Sequence, residues 1–99
     1  MSRIAILGSG AWGTALALSL DRRGGHQITL WAHTPELARQ IVDAKENTQF
    51  LPGFPIPSTV TVTADYAAIN AADIVVSDNE LAPEYVELLR GNGIEVFLA

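Results

Sequence analysis

The chain has 99 residues, 48% of them apolar and 17% charged, and no cysteine. That describes one domain with a sizeable core rather than a disordered segment, with no disulfide framework and no thiolate metal site. A net charge of −5 argues against a nucleic-acid module, whose affinity rests on basic side chains against phosphates, and the two histidines, His26 and His33, do not make a zinc site.

No stretch approaches the roughly 20 apolar residues of a membrane span. The longest, Ala15 to Leu20, is interrupted by Ser19. The run Ile4-Ala5-Ile6-Leu7 after Arg3 is too short for a secretory leader, so a cytoplasmic chain is expected. The charge is uneven. Residues 1–50 sum to +1 and residues 51–99 to −6, Arg90 standing alone against seven acids in the second half.

Arg3 to Leu7 is apolar after its first residue and stops at Gly8, which predicts a strand buried on both faces. Ala11 to Arg23 is rich in Ala and Leu. Gly13, Leu16, Ala17 and Leu20 share one face of this predicted helix, Arg22 and Arg23 suit its C-terminal dipole, and Gly24-Gly25 ends it. His26 to Ala32 predicts a second strand. Thr34-Pro35-Glu36 then opens a helix with Thr34 as N-cap and Leu37, Ala38, Ile41 and Val42 as its apolar face.

Asn47 to Ser58 carries three prolines and a glycine and predicts an extended loop. Its apolar Phe50, Leu51, Phe54 and Ile56 suggest a loop packed on the domain rather than a free linker. Thr59 to Thr63 alternates and is β-branched throughout, the pattern of a half-exposed strand. A short helix over Asp65–Ala72, a strand over Asp73–Ser77, a helix over Leu81–Arg90 and a last strand over Ile94–Leu98 complete the chain. Alternating strands and helices predict an α/β fold: a Rossmann-like parallel sheet with right-handed crossovers, helices on both faces and strand order 3-2-1-4-5.

Gly8-Ser9-Gly10-Ala11-Trp12-Gly13 is a G-x-G-x-x-G pattern between a predicted strand and a predicted helix, the context that gives it meaning. Gly8 allows the tight turn, Gly10 lets a pyrophosphate approach the backbone, and Gly13 lets the helix pack closely on the strand. Free N–H groups of the first helical turn would face the phosphates. A plain βα turn is the alternative. NAD-selective folds place an acid at the end of the second strand, where this chain has Trp31-Ala32-His33-Thr34. His33 can instead donate to a 2′-phosphate, with Thr34 and Arg39 nearby. NADP is therefore tolerated beside NAD, and preferred if His33 takes that role.

Ile4 to Ser77 resembles the N-terminal part of the NAD(P)-dependent glycerol-3-phosphate dehydrogenases. The resemblance rests on the glycine loop with Thr14-Ala15-Leu16-Ala17, on Leu30-Trp31-Ala32-His33, and on Glu46-Asn47-Thr48-Gln49-Phe50-Leu51-Pro52-Gly53. Thr63-Ala64-Asp65 and Ala72-Asp73-Ile74-Val75-Val76 extend it. It implies a domain that holds NAD(P)H for reduction of dihydroxyacetone phosphate to sn-glycerol 3-phosphate. It also implies cofactor contacts from the backbone of Gly10, Ala11 and Trp12, from His33 and from Phe50. Trp12 and Phe50 serve equally well as packing residues. The candidate cofactor residues are thus Gly8, Ser9, Gly10, Ala11, Trp12, Gly13, His33 and Phe50, with no catalytic and no metal-ligating residue.

After Ser77 the family's Val-Pro-Ser/Thr-like turn is replaced by Asp78-Asn79-Glu80-Leu81-Ala82-Pro83, and residues 78–99 do not match the family's pattern. The family's catalytic lysines and helical substrate domain have no counterpart, and Lys45 reads as a surface residue. The expected organisation is a single truncated or chimeric dinucleotide-binding domain, with 1–77 dehydrogenase-like and 78–99 an added α-β unit. An engineered piece fits this better than a natural truncated relative. The alternative to a binding fragment is a chain that keeps only the fold, with no appreciable cofactor affinity. The apolar last strand would leave an open sheet edge, so a homodimer through it is expected.

Overall fold

The computed structural model describes residues 2–77 and 81–98, so the Asp78-Asn79-Glu80 turn singled out above lies outside the described residues. The order is β1 (Ser2–Leu7), α1 (Ala11–Arg23), β2 (His26–Trp31), α2 (Pro35–Ala44), β3 (Val60–Thr63), α3 (Tyr66–Asn70), β4 (Ile74–Ser77), α4 (Pro83–Gly91) and β5 (Glu95–Leu98). The five strands form one parallel sheet in the order β3-β2-β1-β4-β5, the order that the alternation of elements predicts.

Side chains of a strand alternate between faces. In β1, Ile4 and Ile6 enter one core and Ala5 and Leu7 the other. Both cores are apolar, which is why this central strand reads as an unbroken apolar run. On the first face, Ile4, Ile6, Ile28, Leu30 and Val60 pack with Ala17 of α1. On the second, Ala5, Leu7, Trp31, Val75 and Val96 pack with Ile69 of α3 and with Val86 and Leu89 of α4. Each large side chain among them stabilises the fold by about 1.5–3 kcal/mol on leaving water. In α1 the fully buried residues are small: Gly13, Thr14 and Ala17. The helix can therefore lie close to the sheet. Leu16 and Leu20 are only half-buried at its flank.

The segment between α2 and β3 does lie against the domain, though not through its aromatic residues. Phe50 is 41% exposed and Phe54 55%. Ile56 packs against the first core, as expected, and polar contacts add to it. Lys45 closes α2 in the left-handed region (φ 55°), Glu46 bridges to Pro55, and the Ile56 N–H donates to the Lys45 carbonyl at 2.8 Å. Its one deeply buried polar side chain is Asn47, 1% exposed.

Candidate functional site

The C-terminal ends of β1, β2 and β4 meet where the strand order reverses, between β1 and β4. In open parallel sheets the ligand crevice lies at that point. The glycine loop fills the turn from β1 into α1. Gly8 sits at φ +109°, a conformation that only glycine adopts without strain, and its N–H donates to the Trp31 carbonyl at 3.0 Å. A Cβ built on Gly13 would collide with the Gly8 carbonyl oxygen. Both glycines are therefore required by the turn and by the close approach of α1.

Gly10 is different. It is the N-cap of α1 with an ordinary extended backbone (φ −69°, ψ −176°), and a Cβ there would meet nothing within 4 Å. The first i→i−4 bond of α1 runs from the Thr14 N–H to the Gly10 carbonyl at 3.0 Å. The amides of Ala11, Trp12 and Gly13 precede it and have no helical acceptor. The helix has no side-chain cap and no acid in its first turn, whereas Thr34 caps α2 and Asp65 caps α3. The positive end of the α1 dipole is thus left uncompensated by the chain itself.

Beside this turn opens a cleft of about 550 Å³ lined by Leu7, Gly8, Trp31, His33, Tyr66 and Ser77, with Tyr85 and Leu81 on the α4 side. Trp31 is buried; the His33 ring meets it edge-on at 5.2 Å and the Tyr66 ring lies at 5.3 Å. Burial pushes the Tyr85 phenol above its usual range, with Tyr66 adding to it, so Tyr85 stays neutral across ordinary pH. No acidic side chain lines the cleft among the described residues.

Of the residues singled out in the sequence, Gly8 and His33 line the cleft, and Ser9, Gly10, Ala11, Trp12 and Gly13 form the turn and helix start beside it. Trp12 is 47% exposed. Phe50 does not line the cleft; its N–H donates to Asn47 Oδ1 at 3.3 Å. Thr34 is occupied as a cap, accepting from the Leu37 N–H at 3.2 Å. Arg39 lines a separate groove with Val62 and Thr63. Two residues that sequence reasoning did not single out for the site, Thr14 and Asn47, are buried directly behind the turn. Asn47 Nδ2 donates to the Ser9 carbonyl at 2.6 Å and to Thr14 Oγ1 at 2.9 Å. The Thr14 hydroxyl donates to the same carbonyl at 3.3 Å.

A parallel α/β sheet with a glycine turn and an uncapped helix start at its switch point defines the class of doubly wound, Rossmann-like domains. Residues 3–78 match the family described as NAD-dependent glycerol-3-phosphate dehydrogenase N-terminus, and the chain belongs to that family. It is 54% identical over 78 residues to the glycerol-3-phosphate dehydrogenase [NAD(P)+] of Koribacter versatilis, an alignment covering 78% of this chain and 23% of the relative. Among solved structures, glycerol-3-phosphate dehydrogenase from Coxiella burnetii matches with TM-score 0.70 and 34% identity over 77% of this chain and 23% of its own. The Saccharomyces cerevisiae enzyme matches in fold with TM-score 0.76 at 20% identity, over 96% of this chain and 32% of its own. That fold match takes in the α4–β5 unit as well. The chain spans about a quarter of the length of the curated relatives it matches.

Proposed function

We propose that the chain is a dinucleotide-binding unit that takes NAD or NADP, the unit a glycerol-3-phosphate dehydrogenase would use to hold its reductant. The observation that carries this reading is Gly10. Neither its backbone angles nor its neighbours require glycine, and the open space beside it lies at an uncapped helix start. A pyrophosphate fits that space and accepts from the amides of Gly10, Ala11 and Trp12. The Trp31–His33–Tyr66 cleft then receives the adenosine half. His33 is exposed at the tip of β2 and lines the cleft, so NADP is tolerated beside NAD, and preferred if His33 donates to its 2′-phosphate.

The bound nicotinamide would supply the hydride in the parent reaction, NAD(P)H-dependent reduction of dihydroxyacetone phosphate to sn-glycerol 3-phosphate. This chain's own part is to bind and orient. The chain's one lysine, Lys45, is the C-cap of α2 and does not line the cleft. We therefore read 1–99 as one binding domain, inactive alone and acting in the cytoplasm, with a second copy able to pair along β5. The candidate contacts are Gly8 through Gly13, His33 and Phe50.

Titration with NADPH and NADH, followed by the fluorescence of Trp12 and Trp31, tests the reading. Saturable quenching that Gly10→Val abolishes, while leaving the unfolding free energy from urea melts within about 1 kcal/mol of the wild type, is the expected result. A folded chain with no saturation up to millimolar cofactor would instead keep only the fold of its family, the outcome an engineered or chimeric piece predicts.

A further inference from the structure

We infer that Asn47 is a positioning residue for the phosphate-binding turn: it fixes the Ser9–Gly10 peptide so that the Gly10 N–H faces the crevice. The inference rests on the dinucleotide reading above and adds the group that sets the geometry of the turn. Gly8 and Gly10 flank Ser9, and glycines give the backbone more freedom than any other residue. A turn built this way does not hold one orientation by its own torsional preferences. Something outside it must.

Asn47 supplies that hold from 38 residues away in the chain. Both of its amide donors are engaged, and its oxygen accepts once. One Nδ2 bond goes to the Ser9 carbonyl, another to Thr14 Oγ1, and Oδ1 accepts from the Phe50 N–H at 3.3 Å. Thr14, wholly buried, donates to the Ser9 carbonyl as well. The Ser9 carbonyl is therefore gripped from two sides in the interior. A trans peptide directs its C=O and the following N–H to opposite sides. Pulling the Ser9 oxygen inward turns the Gly10 N–H outward, toward the open space beside Gly10 where no protein atom would meet a Cβ. A donor oriented before the ligand arrives avoids the ordering cost on binding. The same side chain ties the Phe50 loop to the turn.

Asn47→Asp isolates the hold. The carboxylate keeps an acceptor for the Phe50 N–H and loses both donors toward Ser9 and Thr14. Thr14→Val is the milder variant, removing one hydroxyl at constant volume, and Thr14→Ser restores it. Two readouts are taken on each folded protein: the order parameter of the Gly10 N–H by nitrogen-15 relaxation, and the dissociation constants of ADP and of adenosine. In Asn47→Asp the Gly10 order parameter should fall below about 0.6 while the body of α1 stays rigid. The ADP constant should rise by about tenfold or more, the scale of a lost hydrogen bond to a charged group, with adenosine unchanged. Thr14→Val should show a smaller rise in the ADP constant that Thr14→Ser reverses. An unmoved Gly10 amide, or ADP and adenosine weakening in parallel, overturns the inference. A wild-type chain that binds neither ligand overturns the dinucleotide reading instead. In that event a loosened Gly10 in Asn47→Asp still supports the hold of Asn47 on the peptide, and a rigid one overturns it.

Discussion

The three glycines of the turn are required for different reasons, and their substitutions separate accordingly. At Gly13 a Cβ would collide with the Gly8 carbonyl oxygen and come within 3.2 Å of its carbon, and both atoms are backbone that cannot swing away. Alanine is about 1 kcal/mol better than glycine as a helix former, but overpacking of this kind costs about 1–3 kcal/mol or more. Gly13→Ala should therefore lower stability, read as a drop in urea midpoint at unchanged slope. A variant as stable as the wild type would show that α1 can back away from β1 without loss. Gly10→Val should do the reverse, sparing the fold and removing the ligand. The spacing of these glycines, and their place between a strand and a helix, were legible in the sequence because backbone geometry ties each role to a residue type. The hold of Asn47 was not. The Asn-x-x-Phe-Leu-Pro segment stood out by resemblance, yet a buried polar side chain has no periodicity to betray it. Thr14 reads like any other residue of an alanine-rich helix until its partner, 33 positions on, is seen beside it.

At the level of elements, the sheet is assembled from strands whose ends are fastened individually. β1 and β4 pair over only three residue positions, Ile4 to Ile6 against Ile74 to Val76. A polar joint extends this pairing at its start. The Arg3 N–H donates to Asp73 Oδ2 at 2.9 Å, the Asp73 N–H returns a bond to the Arg3 carbonyl at 2.8 Å, and the Arg3 guanidinium lies 3.4 Å from Oδ1. The backbone amide of Arg3, and after it the guanidinium, hold the Asp73 carboxyl below the usual carboxylate range. A carboxylate whose folded value is depressed contributes stability above its unfolded value and loses it as the pH falls through the folded value. The joint is exposed, so its contribution is small. Asp73→Asn keeps an acceptor for the Arg3 amide and removes the charge. It should be less stable than the wild type near about pH 7, and the difference should shrink below about pH 3, under the ordinary carboxylate value. Urea melts at the two pH values check this, and an equal difference at both would sink it. The elements themselves were legible from period, caps and glycine stops. Their fastening was less so. Asp73 reads as the first residue of a strand, and only the register of β1 against β4 shows that its carboxylate meets Arg3.

Across the whole molecule the sheet has a central, doubly covered half and a margin at β5, the margin along which a second copy would pair. The strand order followed from the alternation of elements and the right-handed crossover rule, so an open last strand could be foreseen. What guards it could not. In a parallel ladder each residue turns its N–H and C=O to the same side, and successive residues alternate. The Glu95 N–H donates to the Asp73 carbonyl, so Glu95 and Phe97 face β4 with their main chain. Val96 and Leu98 turn theirs to the free edge. There the Val96 carbonyl already accepts from Arg90 Nη2 at 3.1 Å. This contact reaches back from the end of α4 across the Gly91-to-Ile94 turn and depends on which way the strand faces, information that composition does not carry. A charged side chain over a strand edge is a common defence against edge-to-edge pairing. Phe97 and Leu98, 54% and 42% exposed, are the apolar side chains a second copy would meet at the edge that Arg90 obstructs. Pairing along β5 should then be weak in the wild type and tighter by about fivefold in Arg90→Ala, the scale of one net hydrogen bond no longer in competition. Leu98→Pro should abolish it in either background, since proline removes an outward N–H and leaves the bonds to β4 intact. Sedimentation equilibrium at high micromolar concentration reads all three chains, and an Arg90→Ala chain that stays monomeric there would show that β5 is not a meeting surface.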